Sequence, residues 1–457
     1  MPVAPVSAPC SATPHAERAA YESSCMNPIS KLLKALPPGT AMVAGGTAVL
    51  GAASYIHLAV AGHSLTKAHM AGVSVLWTLV MSVGIGLFFP IEQELTRIVA
   101  ARAVRDEGAA PVVRKAALLT GGILAVVLGA LALFAGPIAD RLFQGDRQLV
   151  AVLGAAFAAM ALCYLTRGVL AGTRHFTAYG TQLAVDGGLR IAMAFACAAA
   201  GLHSALAFSL ILVVAPFIAL LVTLSPTLRG ARPGGPIATG ELVRGLGPLT
   251  ASTLLAQVVV NAAVMSTQLF EPTRTELIAG LLSALVLARV PLFVFGSLQA
   301  SLLSGLSTVV AGGDHQGFSR MLRKACAVVL GLGAVGGVPA VVIGPWLIEV
   351  LFGAAPGQLG HVDFLWFALG TTAYMLAMVL GQAQMVLHKH RAQLVCWVLG
   401  TVVLIGITVV PGDIALRVGL AYAIGSLATA GTMLLTLRGA VPRRTAAPVP
   451  NGHLTEV

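Results

Sequence analysis

Long apolar runs separated by short polar segments dominate the chain. Six of them fall near residues 40–60, 70–90, 113–135, 148–166, 181–201 and 204–224. A second six fall near 246–265, 277–298, 325–348, 362–386, 392–410 and 415–437. A helix needs about 20 mostly apolar residues to cross the hydrocarbon core at 1.5 Å per residue. Lipid offers no partner for backbone N–H and C=O groups, so spanning runs of this length must be helical. The pattern therefore predicts an all-α polytopic membrane protein with about 12 transmembrane helices. Composition agrees: 57% of residues are hydrophobic and 10% charged, with a mean hydropathy of +0.89. Typical soluble domains carry about 25% charged residues.

Two markers recur at one offset. Arg114-Lys115 matches Arg323-Lys324, 209 residues on, and Gly136-Pro137 followed by Leu142-Phe143 matches Gly344-Pro345 followed by Leu351-Phe352 at 208–209 residues. A shared offset points to internal duplication. With six spans per half, both halves enter the membrane in the same sense, giving a parallel repeat. The expected organisation is a tail over 1–38, an N-lobe over 39–230, a linker over 231–245, a C-lobe over 246–437 and a second tail over 438–457. Both tails are polar and Pro-rich and read as disordered. The lobes are expected to be two parallel six-helix bundles around a central cavity.

Charge placement orients the chain. If the N-terminus is cytosolic, 21 Lys and Arg fall in cytosolic segments and 5 outside, while Arg190 and Arg289 lie inside spans. The positive-inside rule then places both termini in the cytosol of a multi-pass cell-membrane protein. That distribution also accounts for the net charge of +11 without nucleic acid. Residues 1–38 lack the apolar segment of a secretory signal. Six cysteines show no CxxC spacing and read as small reduced core residues.

Polar residues inside the spans are the candidate chemistry. Thr250, Thr253, Gln257, Asn261 and Gln268 recur every three or four residues in the seventh span except across the last step. Ser74, Thr78 and Ser82 lie at i, i+4 in the second, and the first carries Thr47, Ser54 and His57. Hydroxyl sets of this kind read first as interhelical packing. Gln257 and Asn261, two amides one turn apart, suit a cavity lining as well. Arg289 costs roughly 2.5–3.5 kcal/mol in a span and has no carboxylate within one turn of its own helix. It either faces a cavity or anchors to another helix. Arg190 has Asp186 at i−4, which favours a neutral structural pair. Glu92 and Glu94 read as the solvated end of the second span, and His388 with His390 as part of a basic loop. The chain shows neither a GxxxxGK[ST] phosphate loop nor HExxH metal-ligand spacing, and no cofactor or metal is expected.

The runs YIHLAVAGHSLTKAHMAGVSVLWTLV (55–80), FFPIEQELTR (88–97) and RGVLAGTRHFTAYGTQLAVDGGLR (167–190) resemble Wzx-type flippases of polysaccharide biosynthesis. These belong to the multidrug/oligosaccharidyl-lipid/polysaccharide exporter (MOP) superfamily. The resemblance covers most of 40–230 and, through the repeat, the second half more loosely. It implies alternating access that carries a polyprenyl-pyrophosphate-linked oligosaccharide outward. In relatives, cationic cavity residues hold the pyrophosphate, a role that Arg289 fits best here. Gln257, Asn261, Arg190 and Asp186 complete the candidate cavity set. The implied partners are a lipid-linked sugar and membrane lipids, with a monomeric protein. The chain departs from the pattern at His63, where relatives often carry a basic residue, and lacks extra C-terminal spans.

Two other readings stand beside the flippase. Drug or small-molecule efflux is the first, although relatives of that kind use deep carboxylates that the first and seventh spans here lack. A membrane polysaccharide polymerase or ligase is the second; such enzymes need a sizeable outside loop, and the longest here is about a dozen residues, near Gly136–Arg147. The flippase reading makes the protein a transporter rather than an enzyme.

Overall fold

The computed structural model describes residues 40–270, 280–281, 284, 287, 290–352, 357 and 359–438. The expected tails therefore lie outside the described residues, apart from Arg438. The described chain is helical, with twelve helices long and apolar enough to span a membrane. It is a multi-pass membrane protein.

The first half comprises α1 (Thr40–Ser64), α2 (Lys67–Leu79), α3 (Ile85–Ala103), α4 (Ala110–Leu133), α5 (Ala135–Leu142), α6 (Arg147–Gly172), α7 (Phe176–Ala199) and α8 (Ala205–Gly230). The second comprises α9 (Thr239–Phe270), α10 (Val290–Ala311), α11 (His315–Phe352), α12 (His361–Val386), α13 (His390–Thr408) and α14 (Ile414–Arg438). Helices α2 and α3 are one span interrupted by a π turn at Val80–Gly84. The wide turn lies where Gly84 meets Met160: a Cβ there would come within 2.7 Å of the Met160 sulfur. Both repeated Arg-Lys pairs fall near the start of the third span of their half, in α4 and α11. The GP…LF marker differs between halves. In the first it forms the separate short helix α5, and in the second it ends the continuous α11.

Two expected boundaries move. The second span runs on to Ala103, past Glu92 and Glu94, because Pro90 is accommodated inside the helix and both carboxylates have buried partners. The small residues after Ser297, expected to follow the eighth span, lie within α10.

Each half packs around its own core. Leu76, Phe88, Leu95, Phe157, Phe208 and Ile211 centre the first. Phe364, Phe367, Tyr374, Trp397 and Tyr422 centre the second. Helix α9 joins them: Leu242 and Leu246 enter the first core, whereas Leu249, Ala256 and Val259 enter the second. Close helix approach depends on glycine. A Cβ on Gly187 of α7 would meet the Leu50 backbone of α1 at 2.7 Å, the small-residue device of membrane helix packing.

The non-helical segment between α8 and α9 is strapped to the first bundle. Arg102 donates to the carbonyls of Gly108 and Gly235 at 3.1 and 2.7 Å. The Lys115 ammonium donates to the Ile237 carbonyl and to Thr239 Oγ1, and Ala110 N–H bonds the Arg232 carbonyl at 2.9 Å. Gly108 sits so close to Pro233 that no Cβ fits there. We call the membrane side bearing this segment the linker face.

Candidate functional site

Among the described residues, the carboxylates and arginines buried in the spans gather inside the first bundle. One face of α7 presents Tyr179, Gln182, Asp186 and Arg190, three or four residues apart, all buried. Arg190 holds Asp186 through two bonds, Nε to Oδ1 at 2.8 Å and Nη2 to Oδ2 at 3.1 Å. This is the local pair expected from the i,i+4 spacing. It is not isolated, because Arg167 of α6 also approaches Asp186 Oδ2, at 3.6 Å. Arg167 packs over the Tyr164 ring at 5.5 Å, a cation–π contact of the kind strengthened by desolvation. Two turns along α7 from Asp186 toward the linker face, the Tyr179 hydroxyl donates to Glu92 Oε1 at 2.7 Å. Gln182 donates to Thr166 Oγ1 at 3.0 Å.

Two arginines thus share Asp186 within one bundle, and Glu92 is tied to the same face of α7 through Tyr179. Such a set survives in low dielectric only when each charge is paired. Pairing here is nearly complete, but Glu92 Oε2, Arg167 Nε and Arg190 Nη1 are buried without a hydrogen bond. His57 of α1, fully buried against Phe208, leaves both ring nitrogens unbonded. The column extends over about 16 Å along α7 from Tyr179 to Arg190, at 1.5 Å per residue.

A second cluster joins the bundles at the linker face. Arg97 of α3 grips Glu94 by Nε at 3.0 Å and Nη2 at 2.7 Å. Its Nη1 lies 3.3 Å from His388 Nε2, in the turn between α12 and α13. His390 Nε2 lies 4.0 Å from Glu94 Oε2. Gly245 of α9 closes against both, for a Cβ there would meet Glu94 Oε1 at 2.9 Å and His390 Nε2 at 3.0 Å. Glu92 and Glu94 are therefore not a solvated helix end; they are 3% and 0% exposed. Nor is His390 part of an open basic surface, since it is buried against Glu94.

The remaining sequence candidates are dispersed. Gln257 and Asn261 are half-buried on α9, and Asn261 Nδ2 donates to the Gln257 carbonyl at 2.8 Å. The span hydroxyls mostly bond back to their own helices, as Ser54 to Leu50, Thr78 to Ser74, Ser82 to Thr78 and Thr253 to Leu249. These bonds are intrahelical, so they satisfy the hydroxyls locally and do not join helices. Arg289 lies outside the described residues. Sequence reasoning missed Arg167, Tyr179 and Glu92 as one group. The available signal was the face of α7, where Tyr179 and Gln182 continue the Asp186–Arg190 spacing.

No family model matches the chain. It is 30% identical over 401 residues to the Mycobacterium tuberculosis protein MT1558/MT1560, covering 84% of this chain and 88% of that one. It is 28% identical over 411 residues to the Mycobacterium bovis protein Mb3654, covering 87% and 91%. Both relatives are described as uncharacterized proteins. Among solved structures, a point mutant of the Vibrio cholerae MATE transporter VcmN superposes with a TM-score of 0.76 at 15% identity, covering 90% of this chain and 98% of that one. A MOP superfamily transporter from Pyrococcus furiosus, described as having a binding pocket of reverse polarity, superposes with a TM-score of 0.71 at 12% identity, covering 89% and 98%. The eukaryotic MATE transporter AtDTX14 gives 0.70 at 12% identity, covering 88% and 95%. The chain belongs to the family of the Mycobacterium tuberculosis protein MT1558/MT1560, and it has the fold of the MATE transporters of the MOP superfamily.

Proposed function

We propose that the protein is an alternating-access transporter that flips a polyprenyl-pyrophosphate-linked oligosaccharide from the cytosolic to the outer leaflet. The observation that carries the transporter part is the two-bundle fold, which matches MATE transporters along nine-tenths of the chain. The seam between bundles supports the same reading. Helices α9 and α10 of the second bundle lean on α1 and α3 of the first, and the seam is pinned by the Arg97–His388 contact. The sequence charge count of 21 to 5 falls to 19 to 5 once the buried Arg97 and Arg167 are set aside, and it still supports a cytosolic linker face.

The substrate class rests on the resemblance in residues 55–80, 88–97 and 167–190. Within this reading Arg289 binds the pyrophosphate, Gln257 and Asn261 line the sugar path, and the prenyl chain stays in lipid. Asp186 and Arg190 support that path from inside the first bundle. An inside-negative potential favours outward movement of an anionic head group by about 2.3 kcal/mol per charge per 100 mV, if net charge moves.

Drug or small-molecule efflux is the second reading, supported by the MATE neighbours. Reconstituted vesicles separate the two. A fluorescent polyprenyl-pyrophosphate-linked sugar should become accessible to an impermeant quencher only with protein present, and Arg289→Ala should abolish this without reducing folded protein. Arg289→Lys should retain part, since charge survives but the two-donor fork does not. Export of cationic dyes with no movement of the lipid-linked sugar would replace the flippase by the efflux reading.

A further inference from the structure

The contact between Arg97 and His388 joins residues 291 positions apart in sequence, one from each bundle. Its chemistry is asymmetric. A guanidinium has only donors, so His388 must accept through Nε2, and an imidazole accepts there only when neutral. The His388 backbone lies in the left-handed region (φ 58°), which turns the chain between α12 and α13. His388 also retains an exposed edge, so protons reach it from the aqueous phase. Behind it, Arg97 is fixed by its fork on Glu94, and both are buried.

We propose that Glu94, Arg97 and His388 form a proton-sensitive latch. It closes the two lobes at the linker face while His388 is neutral and releases them when His388 is protonated. The proposal rests on the alternating-access reading but not on the substrate. Protonation removes the Nε2 acceptor and sets an imidazolium against the Arg97 guanidinium. Lobe separation relieves both effects.

The groups facing His388 come from three elements: Glu94 and Arg97 from α3, Glu241 from α9, and its neighbour His390 at the start of α13. Lys389 points away and donates to the Thr436 carbonyl at 3.0 Å. In the closed arrangement burial, and then Arg97, hold the His388 pKa below its ordinary value of 6.5, with Glu94 and Glu241 opposing. Parting the lobes returns it toward that value, so the parted state binds the proton more tightly. By linkage, closure is strongest above about pH 6.5 and weakens as pH falls through the interval between the two pKa values. The ratio of parted to closed molecules rises by at most about tenfold per unit of difference between those pKa values.

The test uses the full chain in nanodiscs, with spin labels on bio-orthogonal amino acids at Thr177 and Gln316, exposed linker-face residues of the two bundles. In the wild type the distance distribution should gain a longer component between pH 7.5 and 5.5. His388→Gln and His388→Asn, neutral at every pH, should abolish that gain, and Asn tolerates the left-handed backbone if Gln impairs folding. His390→Gln should preserve it. A pH-independent wild-type distance, or the wild-type response surviving in the folded His388 variants, would overturn the latch. Because no substrate is present, that failure would leave the flippase reading intact, and failed sugar movement would not touch the latch.

Discussion

The two bundles share a plan but differ in how they hold themselves together. The first buries Glu92, Glu94, Arg97, Arg167, Asp186 and Arg190, whereas among the described residues the second buries no Asp, Glu, Lys or Arg. Its buried polar groups are mainly amides and hydroxyls, with Gln382, Gln384, Gln393, Ser426 and Thr429 among them, and His390 at its edge. A buried charge set is sensitive because removing one partner strands the rest, while neutral groups cost less when unpaired. Two six-helix bundles of one plan are thus free to differ in interior chemistry while keeping helix order.

The largest expected effect breaks this asymmetry directly. Arg167→Ala leaves Asp186 with Arg190 alone and takes from Glu92 the guanidinium that acts on it, and should destabilise by about 3–5 kcal/mol. The counterpart in the second bundle, Gln382→Met, removes a buried amide whose oxygen and nitrogen are both unbonded. It should be neutral or stabilising. Thermal unfolding in one detergent compares them, and equal losses would dissolve the distinction.

Tyr179→Phe is next. It deletes the hydroxyl that bonds Glu92 and should cost about 1–3 kcal/mol, the range for a stranded buried acceptor. Adding Glu92→Gln to Tyr179→Phe should recover part of that loss, because the neutral amide no longer needs the donor that the carboxylate did. The same unfolding measurement reads both variants.

Glycine substitutions sharpen the comparison at the level of packing. Gly187→Ala drives a Cβ into the Leu50 backbone, which yields only by moving helices, and should cost about 1–3 kcal/mol. Gly337→Ala in the second bundle meets only the Ala368 methyl, at 3.1 Å, and should cost less. The smallest effect should come from Lys115→Met. It frees the strap at Ile237 and Thr239, with a loss of about 1 kcal/mol but faster hydrogen exchange over 231–238.

Hydropathy made the twelve spans legible because lipid imposes length and apolarity on every one of them. The Asp186–Arg190 pair was legible because its partners lie one turn apart. Glu92 and Glu94 were not, since a carboxylate after an apolar run looks like a helix end until its partners are known. Tyr179 lies 87 residues from Glu92 and His388 lies 291 from Arg97, and no local pattern announces either meeting. The eighth span was ended too early, at 298 rather than 311, because its serines resemble a loop, yet inside a bundle small hydroxyl residues suit helix contact.

Alternating access is tested most directly by measuring both faces of the seam in one preparation. Labels at Thr177 and Gln316 report the linker face, and labels at the exposed Arg141 and Pro411 report the opposite face. Pulsed dipolar spectroscopy in nanodiscs should yield two populations, with a short distance on one face paired with a long distance on the other. Conditions that lengthen the linker-face distance should shorten the opposite one. Distances that stay fixed on both faces, or that lengthen together, would contradict the account.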